Sequence, residues 1–155
     1  MSRTSPHPFI LLVEDSEDDT FFFLRTLRLA GLEGQVTHVD DGGRAIHHLE
    51  TAMAGNAPVP DLIFLDLKIP TFGGFEVLEW IRTQRFDPPL EIAVLSGSEQ
   101  RDDVARALAL GAAAYFVKPI LADQLRGRFS AWQERNATGA LLEEARAAGG
   151  PDGPP

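Results

Sequence analysis

Five short apolar runs alternate with stretches of helical periodicity, and no other feature of the chain constrains its fold as much. The runs are Phe9–Val13, Gln35–Val39, Leu62–Leu65, Glu91–Leu95 and Ala114–Val117. They have the length of strands. Most are continuously apolar instead of alternating, which is the pattern of a strand covered on both faces. The segments between them predict helices. One spans Asp18–Ala30 and stops at Gly31. A second opens at Asp41-Gly42-Gly43 and ends near Ala54, ahead of Gly55-Asn56-Ala57-Pro58. A third spans Gly74–Arg85, before Pro88-Pro89. A fourth spans Glu99–Leu110, with Ser98 as its N-cap and Gly111 as its stop. The last helix of the body spans Leu121–Glu134. Strands that alternate with helices form a parallel sheet joined by right-handed crossovers. No internal repeat is present.

A length of 155 residues suits one domain, and 44% hydrophobic residues with ten phenylalanines supply a core. The absence of cysteine excludes disulfides, thiol catalysis and cysteine metal sites, and it fits a reducing cytoplasm. The first eight residues, Met1 to Pro8, lack the apolar centre of a signal peptide. No apolar run approaches the ~20 residues that span a bilayer, so no membrane partner is expected. The formal charge of −9, with no basic cluster, argues against nucleic acid and for a cation or a protein partner.

Four of the five apolar runs end in a polar tip. Phe9–Val13 ends in Glu14-Asp15, Leu62–Leu65 in Asp66, Ile92–Leu95 in Ser96, and Tyr115-Phe116-Val117 in Lys118-Pro119. A parallel sheet aligns the carboxyl ends of its strands, and open α/β sheets build their sites there. Asp15, Asp66, Ser96 and Lys118 would therefore converge although they are far apart in sequence. Clustered carboxylates repel unless a cation sits among them, and Mg²⁺ takes one or two carboxylates plus waters and phosphate oxygens. An ionised carboxylate is also a nucleophile toward a phosphoryl group and yields an acyl phosphate. Lys118 would balance the charge on the phosphoryl oxygens, and Ser96 would sense their presence. Singly, each residue has an ordinary reading. An aspartate at a strand end caps a helix, a lysine is solvated, a serine caps, and Glu14-Asp15 starts a helix with favourable dipole charges. The joint pattern carries the argument.

Val13-Glu14-Asp15, Leu65-Asp66 with Pro70 and Gly74, Leu95-Ser96-Gly97 and Tyr115-Phe116-Val117-Lys118-Pro119 stand in the order and spacing of the response-regulator receiver domains of two-component signalling. The chain resembles that family over roughly residues 8–134. The resemblance implies a flavodoxin-like, doubly wound, five-stranded parallel sheet in the order 2-1-3-4-5, with helices on both faces. It also implies a signalling protein, not an enzyme, that catalyses its own phosphorylation and slow dephosphorylation. Asp66 would be the phosphoacceptor. Asp15 would be a direct Mg²⁺ ligand, with Asp66 and the backbone carbonyl of Lys68, and Glu14 would act nearby or through water. Ser96 would be the switch hydroxyl, Lys118 the cation on the phosphoryl group, Tyr115 the switch aromatic, and the Lys118–Pro119 bond cis. The donor would be a phosphohistidine on a sensor histidine kinase. Phosphorylation would shift the surface formed by the fourth helix, fifth strand and fifth helix.

The acidic pair is Glu-Asp instead of the commoner Asp-Asp, and Gly97 replaces the commoner alanine after the hydroxyl. Both features, with the long segment before Asp61, resemble single-domain receivers that partner phytochrome-type kinases. About twenty residues follow the receiver, too few for a DNA-binding output domain, so output through protein contacts, onward relay of phosphate or a phosphate sink is expected. An aspartyl-phosphate phosphohydrolase would carry a second acid two residues after the nucleophile, where this chain has Lys68, and a cap domain. A flavodoxin-like binding module would not need Asp66. A pseudo-receiver would lack part of the acid, hydroxyl and lysine set.

Three consecutive phenylalanines cannot all face one core, since helical side chains step by about 100°. Phe22 and Phe23 with Leu27 form the expected buried stripe, and Phe21 with Leu24 is left exposed as a kinase-docking patch. The four histidines read as ordinary surface or edge residues, and His47-His48 point apart on a helix. Trp132 reads as packing. The first seven residues are expected to be disordered. Residues 8–135 form the receiver and residues 136–155 an extension: a short helix over Asn136–Ala148, then a disordered tail. The apolar side formed by Leu141, Leu142 and Ala145 is expected to order on a second subunit, giving a homodimer.

Overall fold

In the computed structural model, which describes residues 7–32 and 34–148, five parallel strands form one sheet in the order β2-β1-β3-β4-β5. They are β1 (Phe9–Val13), β2 (Gln35–Val39), β3 (Leu62–Asp66), β4 (Glu91–Ser96) and β5 (Ala114–Val117). The helices between and after them are α1 (Glu17–Leu29), α2 (Gly42–Met53), α3 (Gly74–Thr83), α4 (Arg101–Ala109) and α5 (Ala122–Ala148). This is the flavodoxin-like architecture expected from the sequence, with the expected strand order.

Side-chain alternation along the strands splits the core in two. Leu11, Val13, Ile63, Leu65, Ile92 and Val94 face α2, α3 and α4, where they meet Leu49, Val77, Leu78 and Ala107. Ile10, Leu12, Phe64 and Leu95 face the other way, toward Phe23 and Leu27 of α1 and Leu125, Phe129 and Trp132 of α5. The register fixes this partition: Ile10 pairs with Leu62 and Leu65 with Val94, so each row of the sheet sends like side chains to one face. Every residue of β3 and β4 is buried, as the continuous apolar runs require.

Three local expectations are corrected. Phe22 is 50% exposed, whereas Phe23 is 3% and Leu27 6% exposed. The buried stripe of α1 is centred on Phe23 and Leu27, one turn apart, and Phe22 lies about 100° away from it. Ser98 is not the cap of α4. Gln100 holds that position, and the Ser98 hydroxyl instead accepts from the Gln100 N–H (3.2 Å) and donates to Asp103 Oδ2 (2.6 Å). The hydroxyl lies two residues too far back to meet a backbone N–H of the first turn, and it reaches that turn only through the Asp103 side chain.

The third correction concerns the carboxyl-terminal segment. Residues 122–148 form one helix of 27 residues, not a body helix followed by a separate short one. Nothing between them breaks a helix. Gly127 and Gly139 each cost only about 1 kcal/mol relative to alanine, and no proline intervenes. The nucleation penalty that makes a short isolated helix marginal is already met by the docked first half, anchored through Leu125, Phe129 and Trp132. Leu141 and Leu142 are exposed along the distal half. The expectations for residues 1–6 and 149–155 lie outside the described residues.

Candidate functional site

The carboxyl ends of β1, β3 and β5, together with the first turn of α1, bring one ammonium to three carboxylates. Lys118 Nζ lies 2.6 Å from Glu14 Oε2, 2.8 Å from Asp19 Oδ2 and 2.9 Å from Asp66 Oδ2. Each of its three N–H groups thus has an acceptor. Asp66, the last residue of β3, is 5% exposed, and its second oxygen, Oδ1, accepts the Lys68 N–H at 3.2 Å. Glu14 is 2% exposed, and its Oε1 accepts the Ser16 N–H at 3.1 Å. Burial pushes the Glu14 carboxyl above its ordinary value, helped by the Asp66 charge and opposed by its hydrogen bonds to Lys118 and Ser16. Burial also works against the Lys118 ammonium, but hydrogen bonds to Asp19, Glu14 and Asp66 outweigh it and raise its pKa above the ordinary lysine value.

Local packing fixes these side chains. Ser16 caps α1, its hydroxyl accepting the Asp19 N–H at 3.2 Å, and this sets the first turn beside Glu14 and Asp15. Gly74 lies so close to the end of β3 that a Cβ there would meet the Asp66 carbonyl oxygen at 2.5 Å and Leu67 Cα at 2.6 Å. The start of α3 therefore presses on the peptide of Asp66. In the intervening loop Thr71 has φ 71°, a strained conformation for a β-branched residue. The Asp41-Gly42-Gly43 segment seats the same loop: the Gly42 N–H donates to the Pro70 carbonyl at 3.2 Å, and Phe72 leaves no room for a side chain at Gly42.

Glu14, Asp15 and Asp66 can each offer a carboxylate oxygen, all within 4.8 Å of one another. Three hard oxygen donors, one of them a buried acid with a raised pKa, fit a hard divalent cation. Ser96 and Tyr115 lie along the same edge. Ser96 is fully buried and its hydroxyl accepts the Ser98 N–H at 3.1 Å. The half-buried Tyr115 donates its hydroxyl to the Ser98 carbonyl at 2.9 Å, so the two are joined through the loop after β4. The Lys118 N–H donates to the Ser96 carbonyl at 2.8 Å, and the Lys118–Pro119 peptide bond is cis.

The sequence matches the response regulator receiver domain over residues 10–130. The chain belongs to the response regulator receiver family. Among its relatives, this receiver is 31% identical over 120 residues to the "Probable methanogenesis regulatory protein FilR2" of Methanothrix harundinacea, covering 77% of each chain. The solved Mn²⁺-bound form of response regulator Rcp1 is 31% identical and aligns with a TM-score of 0.65, over 82% of this chain and 90% of that one. The phosphorylated cyanobacterial phytochrome response regulator RcpA is 32% identical, with a TM-score of 0.66 over 83% and 90% of the two chains.

Sequence reasoning missed two residues of this receiver's acidic site. Asp19 was covered by its neighbours: Glu17-Asp18-Asp19 reads as dipole-favouring charge in a first helical turn, and only its third member reaches Lys118. His38, on the edge strand β2, has Nε2 2.7 Å from the Glu14 carbonyl and 3.4 Å from Thr20 Oγ1. A carbonyl can only accept, so Nε2 carries the proton and ties the loop bearing Asp15 to β2. Phe21 and Leu24 lie on the outer surface of α1, 61% and 36% exposed, with Phe21 edge-on to Phe22 at 5.9 Å between ring centroids. Beside the site, Phe22, Phe23, Leu12, Leu95 and Ile120 line a cavity of about 320 Å³ that ends at Lys118. Among the described residues no helix is long and apolar enough to cross a membrane.

Proposed function

We propose that this receiver accepts a phosphoryl group on Asp66 from a phosphohistidine of a sensor histidine kinase in a Mg²⁺-dependent reaction. The observation that carries this reading is the Asp66 carboxylate itself, buried, held through Oδ2 by Lys118 and within metal-bridging distance of Glu14 and Asp15. A carboxylate oxygen of Asp66 attacks phosphorus, the P–N bond breaks, and its electron pair stays with the imidazole of the donor. Lys118 balances negative charge on the transferring group, with its ammonium kept protonated by its acidic neighbours. Asp15, Asp66 and the Lys68 carbonyl would hold Mg²⁺, with Glu14 nearby or through water. The ion supplies charge neutralisation for the phosphoryl oxygens.

Ser96 and Tyr115 are the switch pair of this reading. A phosphoryl oxygen on Asp66 offers the Ser96 hydroxyl a new acceptor, and the Ser98 loop that Ser96 and Tyr115 share transmits the change to the α4–β5–α5 face. The exposed Phe21 and Leu24 dock the kinase. The partner is a kinase of phytochrome type, supported by likeness to a phytochrome response regulator. The protein works in the cytoplasm as a homodimer, through protein contacts instead of catalysis on a separate substrate. Incubation with a small acyl-phosphate donor and Mg²⁺ tests the reading. The wild type is expected to take a hydroxylamine-labile label and Asp66→Asn none. Undiminished labelling of that variant overturns the assignment.

A further inference from the structure

Asp19 is the carboxylate on Lys118 that stands outside the Glu14, Asp15 and Asp66 cluster. That difference matters once Asp66 is phosphorylated, and a role for Asp19 on this ground rests on the function proposed for Asp66. In the present arrangement the three N–H groups of Lys118 are divided among Glu14, Asp19 and Asp66. Formation of an acyl phosphate consumes the Asp66 carboxylate and puts phosphoryl oxygens in its place. A bound cation would compete with Lys118 for the Glu14 carboxylate. Of the three acceptors, Asp19 alone takes no part in either change.

The backbone of Asp19 is also held independently of the site. It lies in the first turn of α1, where its N–H is held by the Ser16 hydroxyl at 3.2 Å. Its helix is fastened to the sheet one turn later by Phe23, whose ring packs at a tilt on Phe64, 4.9 Å between centroids. Lys118 follows β5, 99 residues away in sequence, and carries its ammonium on a flexible four-carbon stem. A lysine freed from Asp66 has many rotamers open to it, including those that point into the apolar cavity bordered by Phe22, Leu95 and Ile120.

We propose that Asp19 is a positioning residue that tethers the Lys118 ammonium through the phosphorylation cycle and keeps it aimed at the phosphoryl oxygens on Asp66. The side chain acts through Lys118 and touches neither the metal cluster nor the transferring group. It is 40% exposed, so its replacement leaves no buried hole.

The test compares the wild type, Asp19→Asn and Asp19→Ala at saturating Mg²⁺ with acetyl phosphate as donor. Two readouts are taken: the rate of labelling, and the ¹⁵N resonance of the Lys118 ammonium before and after labelling. Asp19→Ala is expected to label roughly tenfold more slowly, as misplacement of a charge-balancing group does. In the labelled protein its Lys118 ammonium signal should be lost to fast exchange. Asp19→Asn, whose amide oxygen still accepts, should keep the signal and most of the rate. Thermal midpoints of the three should agree. An unchanged signal and rate in Asp19→Ala overturns the tether. Faster labelling overturns it as well, since Asp19 would then be a competitor that withholds Lys118. Failure of the wild type to label at all removes the phosphoacceptor reading, and the tether with it.

Discussion

Arg128 on α5 places Nη1 3.4 Å from Oε1 of Glu91, the first residue of β4 and one of the few buried acids of the fold. Arg135, two turns further along α5, reaches the same oxygen. A buried carboxylate needs a cation, and here two arginines share the task at the end of the sheet away from Lys118. Because either can substitute for the other, Arg135→Ala, whose side chain is 58% exposed, should cost no more than about 1 kcal/mol. Replacing both arginines by alanine should cost about 3 kcal/mol, because the charge is then left uncompensated. Urea midpoints at neutral pH measure both. Simple additivity of two small effects would show that Glu91 does not depend on the pair.

Mg²⁺ binding should depend on Asp15 and on pH. Asp15→Ala removes one of three clustered oxygen donors, and titration calorimetry should register a loss of at least about tenfold in affinity. The pH dependence follows from Glu14, whose folded pKa is raised above 4.5 by burial. A group shifted this way favours the metal-free fold fully below its unfolded pKa, and that contribution is lost as pH rises through the raised folded value. Mg²⁺ offsets the burden of the ionised acid. Stabilisation of the fold by Mg²⁺ should therefore be largest at neutral pH, about 2.7 kcal/mol at a hundredfold excess over Kd, and shrink as pH falls through the raised Glu14 value. An equal increment at every pH would exclude Glu14 from the cation's surroundings.

Phe21→Ala should slow transfer from the cognate kinase while leaving labelling by a small donor intact. The ring is 61% exposed, so stability should change by less than about 0.5 kcal/mol. Stopped transfer assays with both donors decide it. A parallel fall of both rates would place the effect in the site and not in docking.

Truncation after Arg135 removes the distal half of α5, with Leu141 and Leu142 at 65% and 55% exposure, but keeps both arginines on Glu91. If the distal half forms the dimer, the truncated protein should be a monomer by light scattering where the full chain is a dimer, since burying those leucines gains about 25 cal/mol per Å². A dimer that survives truncation moves the interface to the α4–β5–α5 face. A monomeric full chain excludes both.

The sequence by itself determined the layers, the strand order by family resemblance, and the polar tips at the strand ends. It could do so because these are local properties: a continuous apolar run buries on both faces, and a parallel sheet must align its carboxyl ends. Glu14, Asp15, Asp66 and Lys118 meet for that reason. Tertiary packing alone decided the rest. Whether Phe22 or Phe23 faces the core depends on how α1 is rotated against Phe64, which no periodicity of three consecutive phenylalanines can encode. Asp19 reaches Lys118 and His38 reaches Glu14 because separate elements, 99 and 24 residues apart in sequence, are brought side by side by the sheet. The distal helix of α5 exists as one piece because a docked first half supplies the nucleus that an isolated alanine-rich segment lacks.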